Sequence, residues 1–138
     1  LVAEGARESG ADVTLKTVED TAAEELLEYD AIVAGAPTYY GLPSAPLKKL
    51  FDDSVKFHKQ LDGKVGGAFT SAANIGGGNE TTVLAILQMM LIHGMVIQGN
   101  PSGDHYGPVA INKPDDRASA QARTLGERVA SLAEKLHG

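Results

Sequence analysis

Six consecutive apolar residues, Ala31-Ile32-Val33-Ala34-Gly35-Ala36, run without a polar interruption into Pro37. A strand with one face in water alternates polar and apolar side chains, whereas one covered on both faces is apolar throughout. This short run therefore predicts a strand covered on both sides, as in a parallel sheet whose crossovers are helices. The remaining pattern supplies those helices. Leu1 to Glu8 reads as the tail of a helix ended by Gly10. Ala11 to Val18 alternates polar and apolar, the period of a half-buried strand. Thr21 to Tyr29, with Leu26 and Leu27, reads as a short acidic helix.

Ser44 is placed to cap a helix with Pro46 in its first turn and Leu47, Leu50 and Phe51 facing the core. Lys64 to Ala73 is a strand of small residues. Asn79 is placed to cap a helix whose stripe is Val83, Ile86, Leu87, Met90 and Leu91, stopped by Gly94. Met95 to Gly99 is a short strand, and Asn100 to Pro114 a long loop. Asp115 or Asp116 opens a final helix with the seam Ala118, Ala122, Leu125, Val129, Leu132 and Leu136. Regular alternation of the two periods predicts one α/β domain over residues 1–138, an open parallel sheet with helices on both faces.

Composition narrows the function. The 138 residues contain no cysteine, which removes disulfides, thiol nucleophiles and cysteine-ligated metals. A net charge of −6 argues against nucleic acid or an anionic membrane as partner. No apolar run reaches the ~18 residues of a membrane span, and no signal-peptide pattern opens the chain, so the expectation is a cytoplasmic protein.

In open α/β sheets, ligands bind beyond the carboxyl ends of the strands. Those ends carry Pro37-Thr38-Tyr39-Tyr40-Gly41, then Asn74-Ile75-Gly76-Gly77-Gly78, then His105-Tyr106-Gly107-Pro108 within the long loop. Glycine lets backbone N–H groups approach a ligand closely, aromatic rings stack on a flat heterocycle, and Thr70, Ser71 and Asn74 are placed to bond a ring edge. This suits a planar ligand with a polar edge. Hydrolytic chemistry is not supported: His58, His93, His105 and His137 are not at metal-ligand spacing, and there is no Gly-x-Ser-x-Gly or Walker A sequence. Bland alternatives stand beside this reading. Tyr39-Tyr40 could be ordinary loop aromatics, and Gly76 to Gly78 only a flexible turn. His93, in a last helical turn, reads as a structural residue favoured there when charged.

Four stretches in order resemble the flavodoxin-like WrbA family of FMN-dependent NAD(P)H:quinone oxidoreductases. They are Tyr29 to Gly41, Phe69 to Thr82, His93 to Ile97, and Tyr106-Gly107, so the resemblance covers essentially the whole chain. It implies a sheet of order 2-1-3-4-5. It implies that Pro37, Thr38, Tyr39, Tyr40 and Gly41 line one side of a flavin ring. Ser71, Ala72, Ala73, Asn74, Ile75, Gly76 and Gly77 would contact its pyrimidine edge and the other side. It also implies NAD(P)H as co-substrate, a quinone as acceptor, a homo-oligomer (dimer or tetramer), and no side chain as acid or base. The sequence departs from the family in a slightly longer loop after Phe69, in Ile92-His93 where some members have two histidines, and in having no tryptophan.

The family opens with a strand and a phosphate-binding loop that nothing here matches, so the resemblance implies an N-terminally incomplete domain. Without that internal strand, Asp12 to Thr17 lacks a neighbour on the side facing Ile32. Two alternative functions follow from the same residues: a flavodoxin-like electron carrier without a nicotinamide site, and a non-catalytic module that has lost FMN.

Overall fold

The computed structural model describes all residues from Leu1 to Gly138. Strand β1 (Ala31–Tyr39) lies parallel to β3 (Val65–Ala72), in register from Ala31 opposite Val65 to Pro37 opposite Ser71. Between them in the chain, β2 (Leu42–Pro43) folds back antiparallel on Thr38 and Tyr39. Two short strands, β4 (Val96–Ile97) and β5 (Val109–Ile111), both pair in parallel with β3. β4 takes Val65 and Gly66, and β5 takes Thr70 to Ala72, so the two share the edge of β3 opposite β1.

Helices cover both faces. On one, Ile32, Ala34, Ala36 and Ala68 pack with Leu47 and Phe51 of α2 (Ala45–Asp53) and with Val83, Ile86, Leu87 and Met90 of α3 (Asn79–Ile92). On the other lies α4 (Asp116–His137), whose Val129 and Leu125 come so close to Gly67 that a Cβ there would sit 3.1 and 3.2 Å from their methyls. Asp115 caps α4, accepting from Ala118 N–H at 2.8 Å. Helix α1 (Val2–Glu8) lies on α4, with Gly5 and Gly126 at the crossing and Arg123 paired to Glu4 and Glu8. The expected flavodoxin-like α/β architecture is thus present.

Several local expectations are corrected. Ala11 to Val18 is not a strand: residues 11–17 run without turn or bend and join no ladder, because no neighbouring strand pairs with them. The expected 2-1-3-4-5 order is therefore seen only from β1 onward. The long loop contains β5, and Pro37 to Tyr39 continues β1 instead of leaving it. Thr21 to Tyr29 narrows to a 3₁₀ segment, Ala23–Glu28. Gly78, at φ 106°, rather than Asn79, precedes α3, and Ser44 makes no side-chain cap bond. Leu91 and Leu136, read as core-facing, stand out in solvent.

The side of β1 facing away from β3 makes no ladder over Ala31 to Pro37.

In the packed core, Thr82 is fully buried and its Oγ1 has no partner. An unpaired buried hydroxyl carries a desolvation cost of ~1–3 kcal/mol that an isosteric apolar group avoids. Thr82→Val is expected to raise stability by about 1 kcal/mol, read as a higher urea midpoint with an unchanged slope.

Candidate functional site

The carboxyl end of β1 closes in a two-residue hairpin turn. Tyr40 (φ 48°) and Gly41 (φ 79°) both occupy the left-handed region, as the hairpin turn with matching twist requires. A tyrosine is uncommon there, and its ring, instead of packing below, is wholly exposed. The glycine loop docks against this turn. A Cβ on Gly78 would lie 2.5 Å from the Gly41 Cα, and Thr81 Oγ1–H is shared between the carbonyls of Gly41 (3.2 Å) and Gly78 (3.1 Å). Two segments forty residues apart are therefore held in direct contact by the absence of a side chain.

At the end of β3 the hydroxyls are already engaged. Thr70 is buried; its Oγ1 donates to Ala36 O at 2.7 Å and so accepts from Thr38 Oγ1 at 2.9 Å. Ser71 Oγ donates to Asn112 O at 2.5 Å, and Asn74 Nδ2 donates to Ile75 O at 2.9 Å. The side chains of Thr70, Ser71 and Asn74, expected to bond a ring edge, thus each donate one hydrogen bond within the chain. The backbone remains available: Ala73, Asn74, Ile75 and Gly76 donate no backbone hydrogen bond within the chain and lie exposed. Four consecutive unpaired N–H groups beside an exposed aromatic hairpin form an acceptor-seeking edge next to a stacking surface.

Asn112 is the residue that sequence reasoning missed. In left-handed conformation (φ 57°), it donates its N–H to Ala72 O at 2.8 Å and its side-chain amide to Ala73 O at 3.4 Å. It thereby clamps the start of the N–H run. An asparagine directly after Val109-Ala110-Ile111 is a typical left-handed stop, a signal visible only once that triplet is read as a strand.

The third loop stands at the same strand end, since Pro108 O accepts from Thr70 N–H at 3.0 Å. It is braced by Asp104, which takes both oxygens to Arg117 Nη1 (2.7 and 2.8 Å) and accepts from Val109 N–H at 3.0 Å. Asp104 accordingly holds the Arg117 guanidinium protonated above its ordinary range. His105 Nδ1 bonds Asn100 O at 2.8 Å, and Tyr106 is half exposed. No cluster of three metal-ligating side chains exists, and no helix is long and apolar enough to cross a membrane.

His93 has a structural role, for a reason other than the helix dipole. It is only 6% exposed, and its Nε2 lies 2.7 Å from the buried Ser54 Oγ. Ser54 donates to Phe51 O at 2.6 Å, so His93 Nε2–H donates to Ser54, leaving Nδ1 buried and without a partner. Burial, and secondarily the neighbouring His58, lower its pKa. The unfolded chain then binds the proton more readily than the folded one, so stability falls as pH drops below the ordinary histidine value of ~6.5 and levels off below the depressed folded value. Urea midpoints at pH 7.5 and 5.5 are expected to differ in this direction, and the difference is expected to shrink in His93→Phe.

Comparison with known proteins agrees with this architecture. A family model described as NADPH-dependent FMN reductase matches residues 12–106. The chain is 36% identical to an Archaeoglobus fulgidus protein named NAD(P)H dehydrogenase (quinone), over an alignment of 169 positions, gaps included, that covers 98% of this chain and 88% of that one. It is 35% identical to a flavodoxin of Clostridium saccharobutylicum over 144 residues, covering 99% and 88%. Among solved structures, a WrbA-like flavodoxin from Agrobacterium tumefaciens superposes with a TM-score of 0.80 at 31% identity, covering 98% of this chain and 86% of that one.

Proposed function

The chain belongs to the NADPH-dependent FMN reductase family, in its flavodoxin-like WrbA-type branch, and on that premise we propose that it is an FMN-dependent oxidoreductase passing electrons from NAD(P)H to a quinone. The observation that carries the reading is the run of free N–H groups from Ala73 to Gly76 beside the Tyr40 hairpin. It fits a flat ring that has carbonyl and nitrogen acceptors along one edge. In this reading Pro37, Thr38, Tyr39, Tyr40 and Gly41 line one side of the flavin ring. Ser71, Ala72, Ala73, Asn74, Ile75, Gly76 and Gly77 take its polar edge. Neither loop holds a lysine or arginine, so the polar edge is served by backbone dipoles.

FMN supplies the redox chemistry when bound. The chain's part is to orient the ring and to aim fixed dipoles at the edge where negative charge accumulates on reduction. Asn112, by clamping Ala72 and Ala73, keeps those dipoles from reorganising. No side chain in the two loops is placed as a general acid or base, consistent with a site that leaves proton transfer to solvent and cofactor.

Self-association belongs to the same proposal. Leu84, Leu91 and Ile92 form one exposed apolar face on α3, a helix that is hydrophobic all round. Sedimentation of the protein at micromolar concentration is expected to give a dimer or tetramer.

A second reading, a flavodoxin-like electron carrier, is favoured by the alignments. The flavodoxin aligns with the 138 residues of this chain over 144 positions, hence with few gaps, whereas the quinone-reductase relative needs 169. The deciding measurement is NADPH oxidation by the FMN-loaded protein with benzoquinone as acceptor: turnover supports the enzyme, and flavin binding without turnover supports the carrier. Tyr40→Ala is expected to weaken FMN binding about three- to tenfold, the worth of one stacked aromatic. Unchanged flavin-fluorescence titrations would remove Tyr40 from the site.

A further inference from the structure

We infer that Lys113 is the cation that balances the negative charge of the reduced flavin and so sets the reduction potential of the bound cofactor. Lys113 lies outside both loops of the flavin site proposed above, on which its role depends. The chain has 12 lysines and arginines. Six pair with carboxylates, and three donate to backbone carbonyls. The three left free are Lys59, Lys113 and Lys135. Lys59 begins the turn through Asp62 and Gly63 that enters β3, and Lys135 is two residues from His137, which bonds Gly63 O. Both stand at the amino ends of the strands. Lys113, directly after β5 and Asn112, is the one free cation at the carboxyl ends, where the free N–H run lies.

Its backbone is held against the end of β3. Asn112 N–H donates to Ala72 O at 2.8 Å, and Ser71 Oγ donates to Asn112 O at 2.5 Å. That carbonyl belongs to the planar peptide that carries the Lys113 nitrogen and Cα, so the lysine starts directly beside Ser71. The Asn112 side chain bonds Ala73 O, on the residue whose own N–H opens the free run. Pro114 follows and narrows the backbone conformations open to Lys113. From this anchored start a flexible four-carbon stem carries the ammonium through solvent, where Lys113 is exposed. Nearby carboxylates are engaged elsewhere: Asp115 caps α4 through Ala118 N–H, and Asp104 holds Arg117.

Charge then separates the two redox states. A hydride from NAD(P)H carries two electrons and one proton, so the ring gains one negative charge as the nicotinamide leaves oxidised. That charge accumulates on the polar edge served by Ala73 to Gly76. Backbone N–H groups answer it with partial charges, whereas an ammonium answers with a full one that acts over a longer distance. The oxidised ring is uncharged and gains little from the same lysine. Only such a difference in binding moves a potential. The chain as a whole carries a net charge of −6 and opposes a further negative charge, so a single free cation at this edge counts.

The test titrates the full chain anaerobically with oxidised FMN and with dithionite-reduced FMN, measuring free flavin after ultrafiltration. Lys113→Gln is expected to weaken binding of reduced FMN about three- to tenfold, and of oxidised FMN by less than about twofold. At ~30 mV per tenfold for a two-electron couple, the potential of the bound flavin then falls by about 15–30 mV. Lys113→Arg should keep the wild-type ratio of affinities, and Lys113→Glu should widen the change. The gap between wild type and Lys113→Gln should narrow at about 1 M salt, where charges are screened within ~3 Å. The urea midpoint should not move, because the side chain makes no bond. An unchanged ratio of affinities overturns the role of Lys113 while leaving the flavin site standing. Equal weakening of both redox states also overturns it, because the ammonium then meets the FMN phosphate. So does a raised KM for NADPH with an unmoved potential, which would place the ammonium on the dinucleotide. If the wild-type chain takes up neither form of FMN, the flavin site itself falls, and the role of Lys113 with it.

Discussion

Gly78→Ala is expected to lower FMN affinity at least tenfold while leaving the fold intact. Two constraints act at this one position. Its φ of 106° lies where L side chains are strained, and the new Cβ would stand 2.5 Å from the Gly41 Cα and 3.1 Å from its carbonyl carbon. Both neighbours are backbone, with no rotamer to relieve the overlap, so the glycine loop and the Tyr40 hairpin must part. Gly76→Ala isolates the first constraint. It shares a left-handed φ (77°) but has nothing within 4 Å of the added carbon, so its cost is confined to ~1 kcal/mol of backbone strain. A fluorescence titration showing equal affinities for the two variants would remove the loop–hairpin contact from the account of binding.

The largest effect on stability is expected at the crossing of α1 and α4. A Cβ on Gly126 would overlap the carbonyl oxygen of Val2, and one on Gly5 would overlap that of Arg123. The helices meet backbone to backbone, and neither glycine has slack. This crossing is what holds α1 to α4. Gly126→Ala should therefore lower stability by about 2–3 kcal/mol, undock α1, and loosen the Arg123 pairs with Glu4 and Glu8. Trypsin cleavage after Arg7 gives a direct reading. An unchanged urea midpoint with Arg7 still protected would show that the crossing yields more readily than its geometry implies.

Much of this molecule was legible in its residues. The uninterrupted run from Ala31 to Ala36, the α3 positions Val83, Ile86, Leu87 and Met90, and the Asp115 cap all signal local structure through periodicity or capping, and all stand as read. The misreadings share a cause: they concern groups whose partners are remote in sequence. Alternation at Ala11 to Val18 is a strand signal, but a strand needs a neighbour, and none pairs with it here. Val109 to Ile111 is too short to signal by itself and becomes a strand only because Thr70 to Ala72 accept it. The charged His93 suggested by its helix end gave way to a buried one, because Ser54, thirty-nine residues earlier, sits against its ring. In the candidate site, the residue types at Pro37 to Gly41 and Ser71 to Gly77 pointed to a flat ligand. Which atoms remain available for it depends on the tertiary contacts.

The division of one sheet position between β4 and β5 has a consequence for behaviour at high concentration. Exposed strand edges are templates for aggregation, and the risk grows with length and flatness. The outer edge of β3 is covered by pieces of two and three residues, separated by the loop that Asp104 and Arg117 brace. No second sheet can add along so broken a border. The fold thus keeps this hydrogen-bonding border from nucleating fibrils by interrupting it.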